Sequence, residues 1–142
     1  MSFTKNHDKI IAMKFFTLIT VLMLISAPAK AEDFKLSFEW GDIPLCTSGI
    51  PNVVKNPFFK LDYIPRNTKK LYFKMVDKDF PAFKHGGGFV KHKGSRLIKP
   101  GAFTYKSPCP PKGSHKYKWT VYALDKDNKT LDVAKSTRTY PE

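Results

Sequence analysis

Apolar and polar residues alternate through Phe34-Lys35-Leu36-Ser37-Phe38-Glu39-Trp40. A period of two puts Phe34, Leu36, Phe38 and Trp40 on one face, the pattern of a half-buried strand. Leu71-Tyr72-Phe73-Lys74-Met75-Val76 is rich in β-formers and partly apolar on both faces, which suits a central strand. In the next clear strand Tyr117, Trp119, Val121 and Ala123 share one face, and Lys118, Thr120, Tyr122 and Leu124 share the other. Asp125-Lys126-Asp127-Asn128-Lys129 reads as a turn, from which Thr130 to Ala134 pairs back as a hairpin. Ser136 to Tyr140 is a candidate final edge strand, and Phe58 to Leu61 and Leu97-Ile98 are short candidates. No segment keeps a helical period over three turns. Prolines mark bends at Pro44, Pro51, Pro57, Pro65, Pro81, Pro100 and the 108–111 cluster. The predicted fold is all-β, with antiparallel sheets packed as a sandwich.

The N-terminus departs from this pattern. Met13-Lys14 opens a basic start, Phe15 to Ile25 is an apolar run, and Ala29-Lys30-Ala31 offers small residues at a cleavage position. This is the layout of a secretory signal peptide. The run is shorter than the roughly 20 residues that span a bilayer. Residues 1–31 are therefore expected to be removed, leaving 32–142 as one small domain with no transmembrane segment; an uncleaved membrane anchor is the alternative reading of the same run. Met13 is an alternative start that fits this layout more neatly. The expected location is periplasmic or secreted.

The chain of 142 residues carries a formal net charge of +13. Lysine supplies nearly all of it, with arginine confined to Arg66, Arg96 and Arg138. Lysine is a hydrated point charge suited to diffuse attraction of anions. For an exported protein this favours anionic lipid, cell-surface polymer or small anions over nucleic acid. Solubility is the plain alternative for the same lysines. Cys46 and Cys109 form an even pair, which in an exported chain points to one disulfide. A catalytic or metal-binding thiol is the other reading, though neither cysteine has a C-x-x-C partner.

Three stretches contain groups capable of chemistry. Asp77-Lys78-Asp79-Phe80-Pro81 follows the central strand, so its carboxylates reach the sheet end; the same residues also suit an ordinary turn. His85-Gly86-Gly87-Gly88 reads either as a backbone nest for an anion or as a flexible loop. His115 and Tyr117, two apart at the mouth of a strand, share a face and can both donate to a phosphate or carboxylate oxygen; equally, Tyr117 packs in the core and His115 is a surface loop residue.

Together these stretches resemble the phosphatidylethanolamine-binding protein family, the Raf-kinase-inhibitor-like proteins. The counterparts of the family's D-P-D-x-P, downstream His and G-x-H-R-Y motifs are Asp77 to Pro81, His85, and Gly113-Ser114-His115-Lys116-Tyr117. Cys109-Pro110-Pro111 matches a Cys-Pro-Pro of bacterial members, and Cys46 with Asn56-Pro57 matches their early cysteine and X-Pro. The resemblance runs from about Phe38 to Leu124 and is nearest a short, exported bacterial branch. It implies a large antiparallel sheet and a small surface pocket for phosphate head groups or other anions. The implied ligand residues are Asp77, Asp79, His85, His115 and Tyr117, rimmed by Pro81 and Pro110, with Lys84, Lys112 and Lys116 raising the local potential. Departures are Lys78 for Pro, Gly86 where a Trp follows the His, and Lys116 for Arg. The Gly86 change implies a missing apolar wall and a shallower pocket.

The expected function is a small exported binding protein for an anionic small molecule or phospholipid head group, without a cofactor. The alternative is an interaction or inhibitor domain with a vestigial pocket, acting on an unidentified partner. Catalysis is not expected, because no Ser-His-Asp order is present. His85, His115 and Asp79 are metal-ligand types, but their spacing matches no zinc pattern.

Overall fold

The computed structural model describes residues 32–141. The signal-peptide reading and the alternative start at Met13 lie outside them. Nine strands make up the described regular structure, without any helix: β1 Lys35–Glu39, β2 Val53–Lys55, β3 Phe58–Asp62, β4 Lys70–Asp77, β5 Gly87–Lys91, β6 Leu97–Ile98, β7 Thr104–Lys106, β8 His115–Leu124 and β9 Thr130–Tyr140.

The strands form antiparallel sheets in the orders β5-β4-β8-β9, β1-β3-β6 and β2-β7. Alternation drives the packing. In β1, Leu36 and Phe38 point inward while Lys35, Ser37 and Glu39 are exposed. In β4, Leu71, Phe73 and Met75 are buried on one face, and Tyr72, Lys74 and Val76 occupy the other. β8 buries Tyr117, Trp119, Val121 and Ala123, as its alternation requires.

The inner faces meet in an aromatic core. Phe59 stacks on Phe73 with centroids 4.5 Å apart and meets the edge of Trp119 at 5.1 Å. Tyr105 meets Trp119 edge-on at 5.0 Å. Such pairs contribute about 0.5–1.5 kcal/mol each beyond burial. β1 is tied to β9 by Trp40 Nε1 donating to Thr139 O at 2.9 Å and by Arg138 donating to Phe38 O at 3.0 Å. Buried Asn56 holds the loop before β7: its Nδ2 donates to Pro57 O and Lys99 O, while its Oδ1 accepts from the amides of Gly101 and Phe103.

Three sequence expectations change. Ser136 to Tyr140 is not a separate strand but the end of β9, whose pairing with β8 runs from His115↔Tyr140 to Leu124↔Thr130 with a bulge at Ala123/Leu124. The His85-Gly86-Gly87-Gly88 stretch is neither nest nor flexible loop over its second half, because Gly87 and Gly88 begin β5. The strands β2 and β7 were not anticipated; at three residues each, they are too short to show a period.

Candidate functional site

The site lies where β4 and β8 end together. Register sets Asp77 directly opposite Tyr117, so His115, two residues along the same face, is the diagonal neighbour of Asp77. His115 Nδ1 meets Asp77 Oδ2 at 2.7 Å. The other carboxylate oxygen of Asp77 accepts from the amides of Asp79 at 2.8 Å and Phe80 at 3.0 Å. Asp77 thus closes the turn, as one reading of the sequence has it, and with its other oxygen orients the imidazole. Asp79 Oδ2 accepts from the Lys116 amide at 2.6 Å, tying this turn to the start of β8.

His85 is buried and approaches from the segment before β5. Its Nδ1 lies 2.9 Å from Lys106 O. A carbonyl only accepts, so Nδ1 donates, and Nε2 of the neutral ring is left as an acceptor. Tyr117 lies beneath both imidazoles, with ring centroids 5.4 Å from His85 and 6.2 Å from His115. Its hydroxyl has no hydrogen bond of good geometry, although it feels the Asp77 carboxylate and the Cys109 backbone.

These groups gather at a cavity of about 220 Å³ lined by Asp77, His85, His115, Phe80, Phe83, Gly49, Pro51, Cys109 and Pro111. That is smaller than the roughly 300–1,000 Å³ of drug-sized sites and suits a small ion or head group. The Cys46–Cys109 disulfide, Cα atoms 5.3 Å apart, anchors the 46–51 segment beside it. Of the residues expected in the pocket, Asp77, His85 and His115 line it, Tyr117 forms the layer beneath, and Asp79 braces the turn. Pro81 lines a neighbouring cavity with Lys84 and Gly86, and Pro111 rather than Pro110 reaches the wall.

The apolar wall expected to be missing at Gly86 is supplied by Phe83, which meets His85 edge-on at 4.7 Å, and by Phe80. Lys106 Nζ sits 5.3 Å from the Phe83 ring centroid and adds positive charge there. Phe83 belongs to no motif, and Lys106 falls in the Thr104-to-Pro111 run that ends in Cys109-Pro110-Pro111 without a role of its own there, so the folded chain is what places both at the site. Asp77, Asp79 and His115 have potential metal-ligating atoms within 4.8 Å of one another. Those atoms are already engaged with one another and with backbone amides, the pattern of a hydrogen-bonded brace. Among the described residues, His85 does not join that cluster.

Burial pushes the Asp77 carboxyl up, but hydrogen bonds from His115 and the amides of Asp79 and Phe80 outweigh it and hold the group below its ordinary value. Burial pushes the His85 imidazole down, against the opposing pulls of the Lys106 carbonyl and the Asp77 charge. Burial, then the Asp77 charge, pushes the Tyr117 phenol up. A histidine held low in the folded state binds fewer protons than in the unfolded chain. Stability is therefore full above about pH 6.5 and falls as pH drops from there through the folded value of His85. Asp77, also held low, loses its contribution only at more acid pH, below about 3.9. Urea midpoints are expected to drop between neutral pH and pH about 5, and His85→Gln is expected to flatten that drop. An unchanged slope in the variant would remove His85 as a source of it.

Residues 87–140 match the family model described as phosphatidylethanolamine-binding protein. Two solved structures share the fold. A protein of Chlamydia trachomatis described as a phosphatidylethanolamine-binding protein homolog superposes with a TM-score of 0.55 at 19% identity, covering 78% of this chain and 98% of that one. YbcL of E. coli, described as a new member of the mammalian family, gives a TM-score of 0.55 at 16% identity, covering 77% of this chain and 98% of its own. No curated protein matches. The 87–140 segment is thus similar to the phosphatidylethanolamine-binding protein family, and the chain shares its fold with these two structures.

Proposed function

We propose that this chain is an exported binding protein, not an enzyme, whose pocket takes a phosphate head group or another small anion. The observation that carries the reading is the pair of imidazoles at one small cavity, each held through Nδ1 by a separate acceptor. That arrangement directs the remaining nitrogen of each ring to a ligand. His115, in its protonated form, keeps its bond to Asp77 and offers an Nε2–H donor. His85, neutral by burial, accepts from a protonated phosphate oxygen or an ammonium group. Lys106 supplies further positive potential. A binding role is supported by Asp77 and Asp79, whose carboxylates are occupied in bracing the site. Export is supported by the signal-like N-terminus and by the disulfide beside the pocket.

Calorimetric titration with phosphoethanolamine tests this reading. His115→Ala and His85→Ala are each expected to weaken binding at least about tenfold, the value of a charge-assisted hydrogen bond. Affinity unchanged in both variants would contradict it.

A second reading rests on the pocket surroundings. Ile50, 72% exposed, stands between the lining residues Gly49 and Pro51, and Phe80, 55% exposed, lines the pocket itself. An apolar rim of this kind also suits a protein partner, in keeping with an inhibitor domain. Ile50→Ser with Phe80→Ser would then abolish partner capture, while phosphoethanolamine binding would distinguish the first reading by surviving Ile50→Ser.

A further inference from the structure

The outer face of the four-stranded sheet is the side of β4 and β8 opposite the pocket. Register places Phe89, Tyr72 and Tyr122 side by side across β5, β4 and β8. Their rings stack into a ridge: 4.5 Å and 21° between Phe89 and Tyr72, then 5.7 Å and 26° between Tyr72 and Tyr122. Lys70 and Lys91 stand directly opposite each other in the neighbouring row. On the other flank Lys74 and Lys135 both pair with Thr120.

A groove of about 830 Å³ beside the ridge has an apolar floor of Tyr72, Phe89 and Leu124, and its lysines are Lys69, Lys70, Lys91 and Lys126. No carboxylate is among its lining residues. Of the acids nearby in sequence, Asp127 pairs with Lys126 and offsets its charge, while Asp125 is fixed in the turn by the amides of Asp127 and Lys129; the charge of the groove therefore rests on Lys69, Lys70 and Lys91. Lys70 Nζ bonds Asn128 Oδ1 at 2.6 Å and lies 5.9 Å from the Phe89 ring centroid.

Like charges directly opposite on a sheet repel. Lys70 and Lys91 therefore favour an anionic partner, and a second copy of the chain would set lysines against lysines. The ring geometry narrows the choice further. Tyr72 is covered on both faces by its neighbours, so it offers a base or a sugar no free ring face to stack on. What faces outward is ring edges and phenol hydroxyls, as aromatic residues do at a membrane–water boundary. Lysine, a point charge on a flexible stem, suits the diffuse field of an anionic leaflet better than forked recognition of single groups. We propose that this face docks on an anionic lipid bilayer surface, with Phe89, 59% exposed on its edge strand, entering the interface.

The test uses the exported chain, residues 32–142, bearing Phe89→Trp; the native Trp40 and Trp119 are buried. It is mixed with vesicles of phosphatidylcholine and phosphatidylglycerol carrying brominated acyl chains, and with phosphatidylcholine vesicles alone. Quenching at position 89 reports this face and not any other contact of the chain. The added indole is expected to shift blue and be quenched by the anionic vesicles only. Lys70→Gln with Lys91→Gln is expected to lower partitioning on the order of tenfold. Co-sedimentation with an unquenched indole, partitioning indifferent to the two lysines, or an indole shift with a soluble polyanion and none with vesicles would each overturn the proposal.

Discussion

Gly87→Ala is expected to destabilise the fold by at least about 3 kcal/mol, a large share of the 5–15 kcal/mol that holds a domain together. A Cβ at Gly87 would overlap the carbonyl oxygen of Phe73, far inside van der Waals contact. The obstacle is backbone of the central strand β4, so no rotamer change relieves it. The shift must propagate into a strand whose Phe73 and Met75 are core and whose Asp77 orients His115. Gly88→Ala meets Cβ and Cγ of Phe103, the root of a side chain that cannot swing clear without its own backbone moving, and is expected to destabilise the fold as well. Urea denaturation checks both. A Gly87→Ala midpoint equal to wild type would mean that β5 does not approach β4 as closely as described.

Removing the disulfide, by Cys46→Ala with Cys109→Ala, is expected to cost about 4 kcal/mol. The two cysteines are 63 residues apart, and closing so long a loop takes much conformational freedom from the unfolded chain. The change also acts on the site. Cys109, Gly49 and Pro51 all line the pocket, and the crosslink holds the 46–51 segment against it. Anion affinity should therefore fall with stability, whereas Phe59→Ala, deep in the aromatic core, should cost about 3–5 kcal/mol and leave the pocket residues untouched. Thermal melts of oxidised and reduced protein with identical midpoints would contradict the stabilising role.

The legible strands were those with a visible period of two: β1, β3 and β4 alternate in burial over five residues or more, and β8 keeps one face buried from Tyr117 to Ala123 while Thr120 and Leu124 are buried on the other. β2 and β7 were hidden because three residues carry no period, and their partner is distant in sequence. β5 was hidden for a different reason. Its glycines suggest a loop, yet they are required by neighbours that only folding brings close, the Phe73 carbonyl and the Phe103 ring. At the site, Asp77 and His115 were legible because strand pairing makes a motif after β4 meet one opening β8. Phe83, Lys106, Gly49 and Pro51 were not, since a ring contact, a cation position and a crosslinked loop place them there; Pro51 was legible only as a bend.

The pocket remains the centre of the account, and a two-dimensional NMR titration of the oxidised protein with phosphate and then phosphoethanolamine tests it most directly. The account predicts saturable shifts at Asp77, His85, His115 and Tyr117, with the Phe89 ridge unmoved. A well-dispersed spectrum in which those four residues stay still would contradict it.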